Sequence, residues 1–165
     1  MMKPHLFLLI LMSALPSLYA QQSIGDLLEK YNSGNVPYIS VEELRMQQLD
    51  SNVIILDARE QEEFEVSHIK GAHFIGYNEF DISRLNNYPK NRKIVVYCSI
   101  GVRSAKIGDK LQNAGFKNVR NLYGGIFSWK NKGYEVMNSE GKQTEKVHAY
   151  SKHWSNWLKN AEKVY

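Results

Sequence analysis

The chain has one cysteine and four prolines among its 165 residues, and no unbroken apolar run longer than Leu6 to Met12. A lone cysteine excludes an intrachain disulfide, a CxxC redox pair and a cysteine-rich zinc site. The apolar run is far short of the roughly 20 residues that span a bilayer, so a multi-pass membrane protein is excluded as well. With only 11 glycines and 4 prolines, collagen-like and low-complexity compositions are out. There is no block of like charge either. The lysines and arginines are spaced singly among apolar residues, which argues against a nucleic-acid-binding arm. His68 and His73 lack a clear third ligand nearby, so no metal site is expected. Gly124-Gly125 lacks the Lys-Ser/Thr ending of a phosphate-binding P-loop.

What is present fits one globular domain: 43% hydrophobic and 23% charged residues over a length that supports a real core. The net charge of +4 is unevenly placed. Residues 21–69 hold three basic and ten acidic side chains, a net of −7, whereas residues 70–165 hold seventeen basic and seven acidic, a net of +10. The second half is therefore the expected host for an anionic small molecule. At the N-terminus, Lys3, the run from Leu6 to Met12 and the stretch Pro16 to Ala20 read as an export signal cleaved after Ala20. An uncleaved anchor and a buried first helix are the alternatives. The signal implies an exported protein, periplasmic or secreted, with no stable membrane insertion after cleavage.

Strand and helix patterns alternate along the rest. Ser23 with Asp26 and Ser40 with Glu43 have capping-box spacing, the second opening a helix to about Gln48 with Val41 and Leu44 inward. VIILDA, ending in Asp57, and KIVVY, Lys93 to Tyr97, are continuous apolar strands. Ala72 to Ile75 and Val119 to Leu122 are shorter ones. Helices are predicted over Glu60 to Glu65, Glu79 to Leu85, Ser104 to Ala114 and around Phe127 and Trp129. This is an α/β pattern, an open and mainly parallel sheet with helices on both faces. Residues 21–35 form a helical extension, 36–136 the core domain and 137–165 a linker and terminal helix. In that last segment Val147, Tyr150, Trp154, Trp157, Leu158 and Ala161 step by threes and fours, predicting an amphipathic helix. It would dock on the core or, given its aromatics, hold a protein partner.

The segment KIVVYCSIGVRSAKIGDKL carries the chemistry: strand, tight loop, helix. Cys98 falls at the strand end, where open α/β sheets place ligands. The loop Cys98, Ser99, Ile100, Gly101, Val102 and Arg103 leads into a helix expected to start near Ser104. Consecutive loop amides and the helix N-terminus can converge on one anion. Gly101 supplies backbone freedom and Arg103 a permanent charge with bidentate geometry. Each favours thiolate over thiol at Cys98. Asp57 and Arg59, after another strand end, read as a pair that ties loops together or as substrate contacts.

In order along the chain, LDAREQEEF, SHIKGAHFI, CSIGVRS and NLYGGIFSWKNKGYEV resemble the signature segments of single-domain rhodaneses, over about Val36 to Val136. The resemblance implies a rhodanese-like fold and a sulfurtransferase in which Cys98 carries sulfane sulfur as a persulfide. It implies that the amides from Ser99 to Ser104 stabilise that charge and that Arg103 orients an anionic donor, thiosulfate or polysulfide. The acceptor would be a thiol or cyanide, with no metal, cofactor or nucleic acid required. A non-catalytic persulfide carrier or protein-binding module is the alternative. Cysteine phosphatases have five residues between cysteine and arginine. Four stand here, a smaller ring that suits one terminal sulfur better than a phosphoryl group. Ser67 stands where the family usually has Gly.

Overall fold

The computed structural model describes residues 23–32 and 34–165; the expected export signal lies outside them. The chain runs α1 (Ile24–Tyr31), β1 (Tyr38–Ile39), α2 (Val41–Leu49), β2 (Ile54–Asp57), α3 (Gln61–Val66), β3 (His68–Ile69) and β4 (Ala72–Phe74). After a 3₁₀ turn at Ile82–Leu85 come β5 (Lys93–Tyr97), α4 (Val102–Asn113), β6 (Asn118–Leu122) and α5 (Gly125–Asn131). Then follow β7 (Val136–Met137), β8 (Gln143–Thr144), β9 (Lys146–His148), a second 3₁₀ turn at Trp154–Trp157, and β10 (Glu162–Val164).

Five strands form one parallel sheet in the order β1-β6-β5-β2-β4. Because strand side chains alternate between faces, the runs IILD and KIVVY divide into two cores. Ile55, Val95 and Tyr97 face one core with Leu27, Leu44, Phe127 and Trp129. Ile54, Leu56, Ile94 and Val96 face the other with Ile107, Leu111 and Phe116. Helices therefore cover both faces, which is why these strands read as unbroken apolar runs. The Ser23 capping box is present, and Ser40 caps α2 through the Glu43 amide.

Three expectations are corrected. The helix predicted over Glu79 to Leu85 is only a 3₁₀ turn held by the Asp81 side chain. The helix α4 begins at Val102 rather than Ser104, since Gly101 at φ 110° makes the turn into it. The predicted amphipathic C-terminal helix is absent: residues 146–164 form a strap of strand, 3₁₀ turn and strand, with β9 and β10 paired in parallel. Of the apolar residues stepping by threes and fours, Val147, Trp157 and Leu158 are buried, Trp154 and Ala161 are half-buried, and Tyr150 is exposed. Val147 of β9 and Ala149 just after it alternate inward, and Trp157 and Leu158 enter the same core from the 3₁₀ turn and its end. Asn131 fixes the strap by donating to the Trp157 carbonyl and accepting from the Lys159 and Asn160 amides.

Candidate active site

The central strand β5 delivers Cys98 to the carboxyl edge of the sheet, almost completely buried. The loop after it turns back so that the Gly101 amide donates to Cys98 Sγ at 3.1 Å and the Ser104 hydroxyl lies 3.5 Å from it. Ser104 also donates to Asn121 Oδ1 at 2.7 Å, and Asn121 Nδ2 donates to the Gly101 carbonyl at 2.7 Å. A buried side chain of β6 thereby ties the loop glycine to the first turn of α4. Sequence reasoning passed over Asn121, whose partners lie 17 and 20 residues away in the chain.

From the other side, α5 clamps the loop. Ile126 N–H donates to the Cys98 carbonyl and Phe127 N–H to the Ser99 carbonyl. A side chain at Gly125 (φ 55°) would stand 2.2 Å from the Cys98 carbonyl oxygen, so only glycine lets the two segments meet.

Arg103 has partners the sequence reading did not name. Its guanidinium forms a two-pronged pair with Glu63 of α3, Nη1 to Oε2 at 2.6 Å and Nη2 to Oε1 at 2.8 Å, and also donates to Ser99 Oγ at 2.9 Å. Glu63 is buried, and a buried carboxylate is stable only when its charge is matched. Burial pushes the Glu63 carboxyl up, but Arg103, with help from the Arg59 charge and the Glu60 amide, outweighs this and holds it below its ordinary 4.5. The Arg103 charge is thus paired within the protein, and its side chain also lines the cleft at Cys98. Glu63 was legible only as one of several acids in a short helix, because its partner lies 40 residues on.

Cys98 feels competing influences. Burial alone would push its thiol up; the Arg103 charge, the Ser104 hydroxyl and amide, and the Gly101 amide outweigh it and hold the thiol below its ordinary 9.0. Of the loop amides expected to converge on sulfur, Gly101 forms the short contact. Asp57 and Arg59 form a fully buried pair, with Arg59 Nη2 2.7 Å from Asp57 and 2.6 Å from the Ser67 carbonyl. They tie β2 to the turn after α3 and do not line the cleft at Cys98. Ser67 itself is in ordinary extended backbone (φ −170°), so this position places no demand for glycine.

Above Cys98 opens a small cleft of about 150 Å³, lined by Ser99, Ile100, Val102 and Arg103 from the loop and first turn. The C-terminal strap adds Tyr150 and Trp154. These two were read as one face of a docking helix, and their place at the site emerges only from the folded strap. Among the described residues no cluster of His, Cys, Asp and Glu has the geometry to hold a metal.

A mainly parallel sheet with helices on both faces, presenting a cysteine at the carboxyl end of its central strand, defines an open α/β domain with its candidate site at that sheet edge. The chain matches the rhodanese-like domain over residues 40–132 and belongs to that family. It is 35% identical over 97 residues to a tRNA uridine(34) hydroxylase of Listeria welshimeri, covering 56% of this chain and 30% of that protein. It is 34% identical over 102 residues to a Bacillus subtilis protein named "Putative sulfur carrier protein YrkF", covering 61% of this chain and 55% of the other. The chain thus spans well under two thirds of these relatives. Among solved structures, a rhodanese-like domain protein from Staphylococcus aureus superposes with a TM-score of 0.55 at 30% identity, over 63% of this chain and 99% of that one.

Proposed function

We propose that this protein is a sulfurtransferase in which Cys98 carries sulfane sulfur as a persulfide between a small-molecule donor and a thiol or cyanide acceptor. The observation that carries the reading is Cys98 Sγ at the end of β5, accepting from the Gly101 amide with Arg103 and Ser104 beside it. That environment favours a sulfur anion without a metal or a separate general base. With thiosulfate, Cys98 thiolate attacks the outer sulfur. The bond to the sulfonyl sulfur breaks with its electron pair, and sulfite leaves. Cyanide or an acceptor thiolate then attacks the terminal sulfur of Cys98–S–S⁻ and restores the thiolate. Polysulfide loads the site by the same displacement, with a shorter polysulfide leaving. The export-signal reading of residues 1–20 directs this chemistry to the periplasm or beyond.

Intact mass of the protein, with and without thiosulfate or polysulfide, tests the first step. The expected result is a gain of one sulfur atom that cyanide removes and that Cys98→Ser abolishes. No gain from either donor would sink the reading. The second reading is a persulfide-carrying module, favoured by the likeness to the B. subtilis relative, which is named as a sulfur carrier. It predicts stoichiometric loading with no turnover when donor and acceptor are both in excess.

A further inference from the structure

The strap that supplies Tyr150 and Trp154 lies outside residues 40–132, the stretch shared with the family model. It brings aromatic surface to a sulfur site where Arg103, the cation among the described lining residues, is already paired. Tyr150 is 52% exposed and sits over the Arg103 guanidinium, 4.8 Å from ring centroid to Cζ. Its backbone is in the left-handed region (φ 65°), held where the Tyr150 amide donates to His148 Nδ1 at 3.1 Å. A non-glycine residue in that region stores strain, and such strain concentrates at functional sites. Trp154 is half-buried beside it and meets the exposed Tyr31 of α1 edge-on, with ring centroids 6.4 Å apart. Three aromatic rings from outside the shared domain therefore surround or adjoin the approach to Cys98.

The charges at the site point the same way. With Cys98 as thiolate, Arg103 and Glu63 cancel and the site carries one net negative charge. The end of α4 and the Gly101 amide serve that single charge. A dianion entering an apolar cleft would lose its hydration and find no unpaired cation among the lining residues.

We propose, resting on the sulfurtransferase reading above, that the strap makes this site selective for organic sulfane-sulfur donors of low charge with an apolar or aromatic tail, in preference to the thiosulfate dianion. The tail lies against Tyr150 and Trp154, and the transferable sulfur points at Cys98. With benzenethiosulfonate as the probe, Cys98 thiolate attacks the terminal sulfur. The sulfur–sulfur bond breaks, benzenesulfinate leaves with the electron pair, and Cys98–S–S⁻ remains.

The test compares second-order rates of sulfur loading from benzenethiosulfonate and thiosulfate, read by intact mass at equal ionic strength. Each ratio is divided by the ratio for a free thiol, N-acetylcysteine, which removes the donors' intrinsic reactivity. The expected preference is about tenfold for the aryl donor, falling about two- to tenfold in Tyr150→Gly and in Trp154→Ala. Tyr150→Gly removes the ring and also relieves the left-handed backbone, which protects the fold. A second measurement needs no variant: benzenesulfinate is expected to shield unloaded wild-type Cys98 from alkylation at lower concentration than sulfite. A normalised ratio at or below one, a ratio unmoved in both folded variants, or sulfite shielding as well as benzenesulfinate would overturn the selectivity while leaving sulfur transfer standing. Loading from neither donor, nor from polysulfide, would overturn both.

Discussion

At the scale of single residues the site turns on one carboxylate that the sequence did not single out. Glu63 neutralises Arg103 and, through it, moderates how strongly the arginine favours Cys98 thiolate. Glu63→Gln leaves the arginine uncompensated and is expected to move the pH midpoint of Cys98 alkylation further down. Arg103→Gln removes the largest influence opposing burial and is expected to move it up. The two shifts must have opposite signs. Iodoacetamide kinetics across pH would show it, and shifts of the same sign would mean that Glu63 acts on sulfur by some other route. Stability gives an independent check. The folded-state pKa of Glu63 lies below its unfolded value of 4.5, so its contribution is fully present above that pH and is lost as pH falls through the folded value. Urea midpoints of wild type and Glu63→Gln are therefore expected to differ at pH 7 and to converge in acid. The neutral-pH cost should be about 1–3 kcal/mol, that of leaving a buried charged partner poorly satisfied.

At the scale of elements, most of what positions Cys98 was legible. KIVVY is β-branched and aromatic, the following loop has a glycine where the chain must turn, and a helix pattern follows. Short strands without a pattern of their own were not legible. β1, β3, β7 and β8 have two residues each and exist because neighbouring strands supply their hydrogen bonds. The strap misled for another reason. Spacings of three and four also arise when a strand, a turn and a strand all bury onto one face, and a short window cannot separate the two. Only KVHA, with Val147 and Ala149 in and His148 half out, carries the period of two. The clamp between α5 and the loop gives a direct test. Gly125→Ala forces a methyl group against the Cys98 carbonyl in a left-handed backbone. The backbone conformation alone costs about 1–2 kcal/mol, and the clash adds to it. Denaturant unfolding should show a loss beyond that range, and sulfur loading should fall with it. A loss within that range, with full loading, would mean that the two segments separate without consequence for the site.

At the scale of the whole molecule, the uneven charge along the chain does not survive folding as an uneven site. Acidic residues of the first half meet basic residues of the second: Glu63 with Arg103, Glu43 with Arg120 and Glu42 with Lys132. At Cys98, the arginine that residues 70–165 contribute to the cleft, Arg103, is one of these paired charges. The strap belongs to this larger scale as well. It closes one face of the sheet, where Val147, Ala149 and Leu158 are fully buried and Trp157 nearly so, against a core that includes Trp129 and Val136. Burying side chains such as Val147 and Leu158 contributes about 1.5–3 kcal/mol each, and a domain keeps only about 5–15 kcal/mol in total. Removing residues 138–165 should then abolish the cooperative thermal transition rather than merely lower its midpoint. It would also expose Trp129, shifting its fluorescence to longer wavelength. Were the strap only a detachable partner-binding arm, the truncated chain would keep a sharp transition and a buried tryptophan. A protein that melts cooperatively without the strap would separate substrate selection from folding, whereas loss of both together would mean that the aromatic wall at Cys98 is built from the same residues that complete the core.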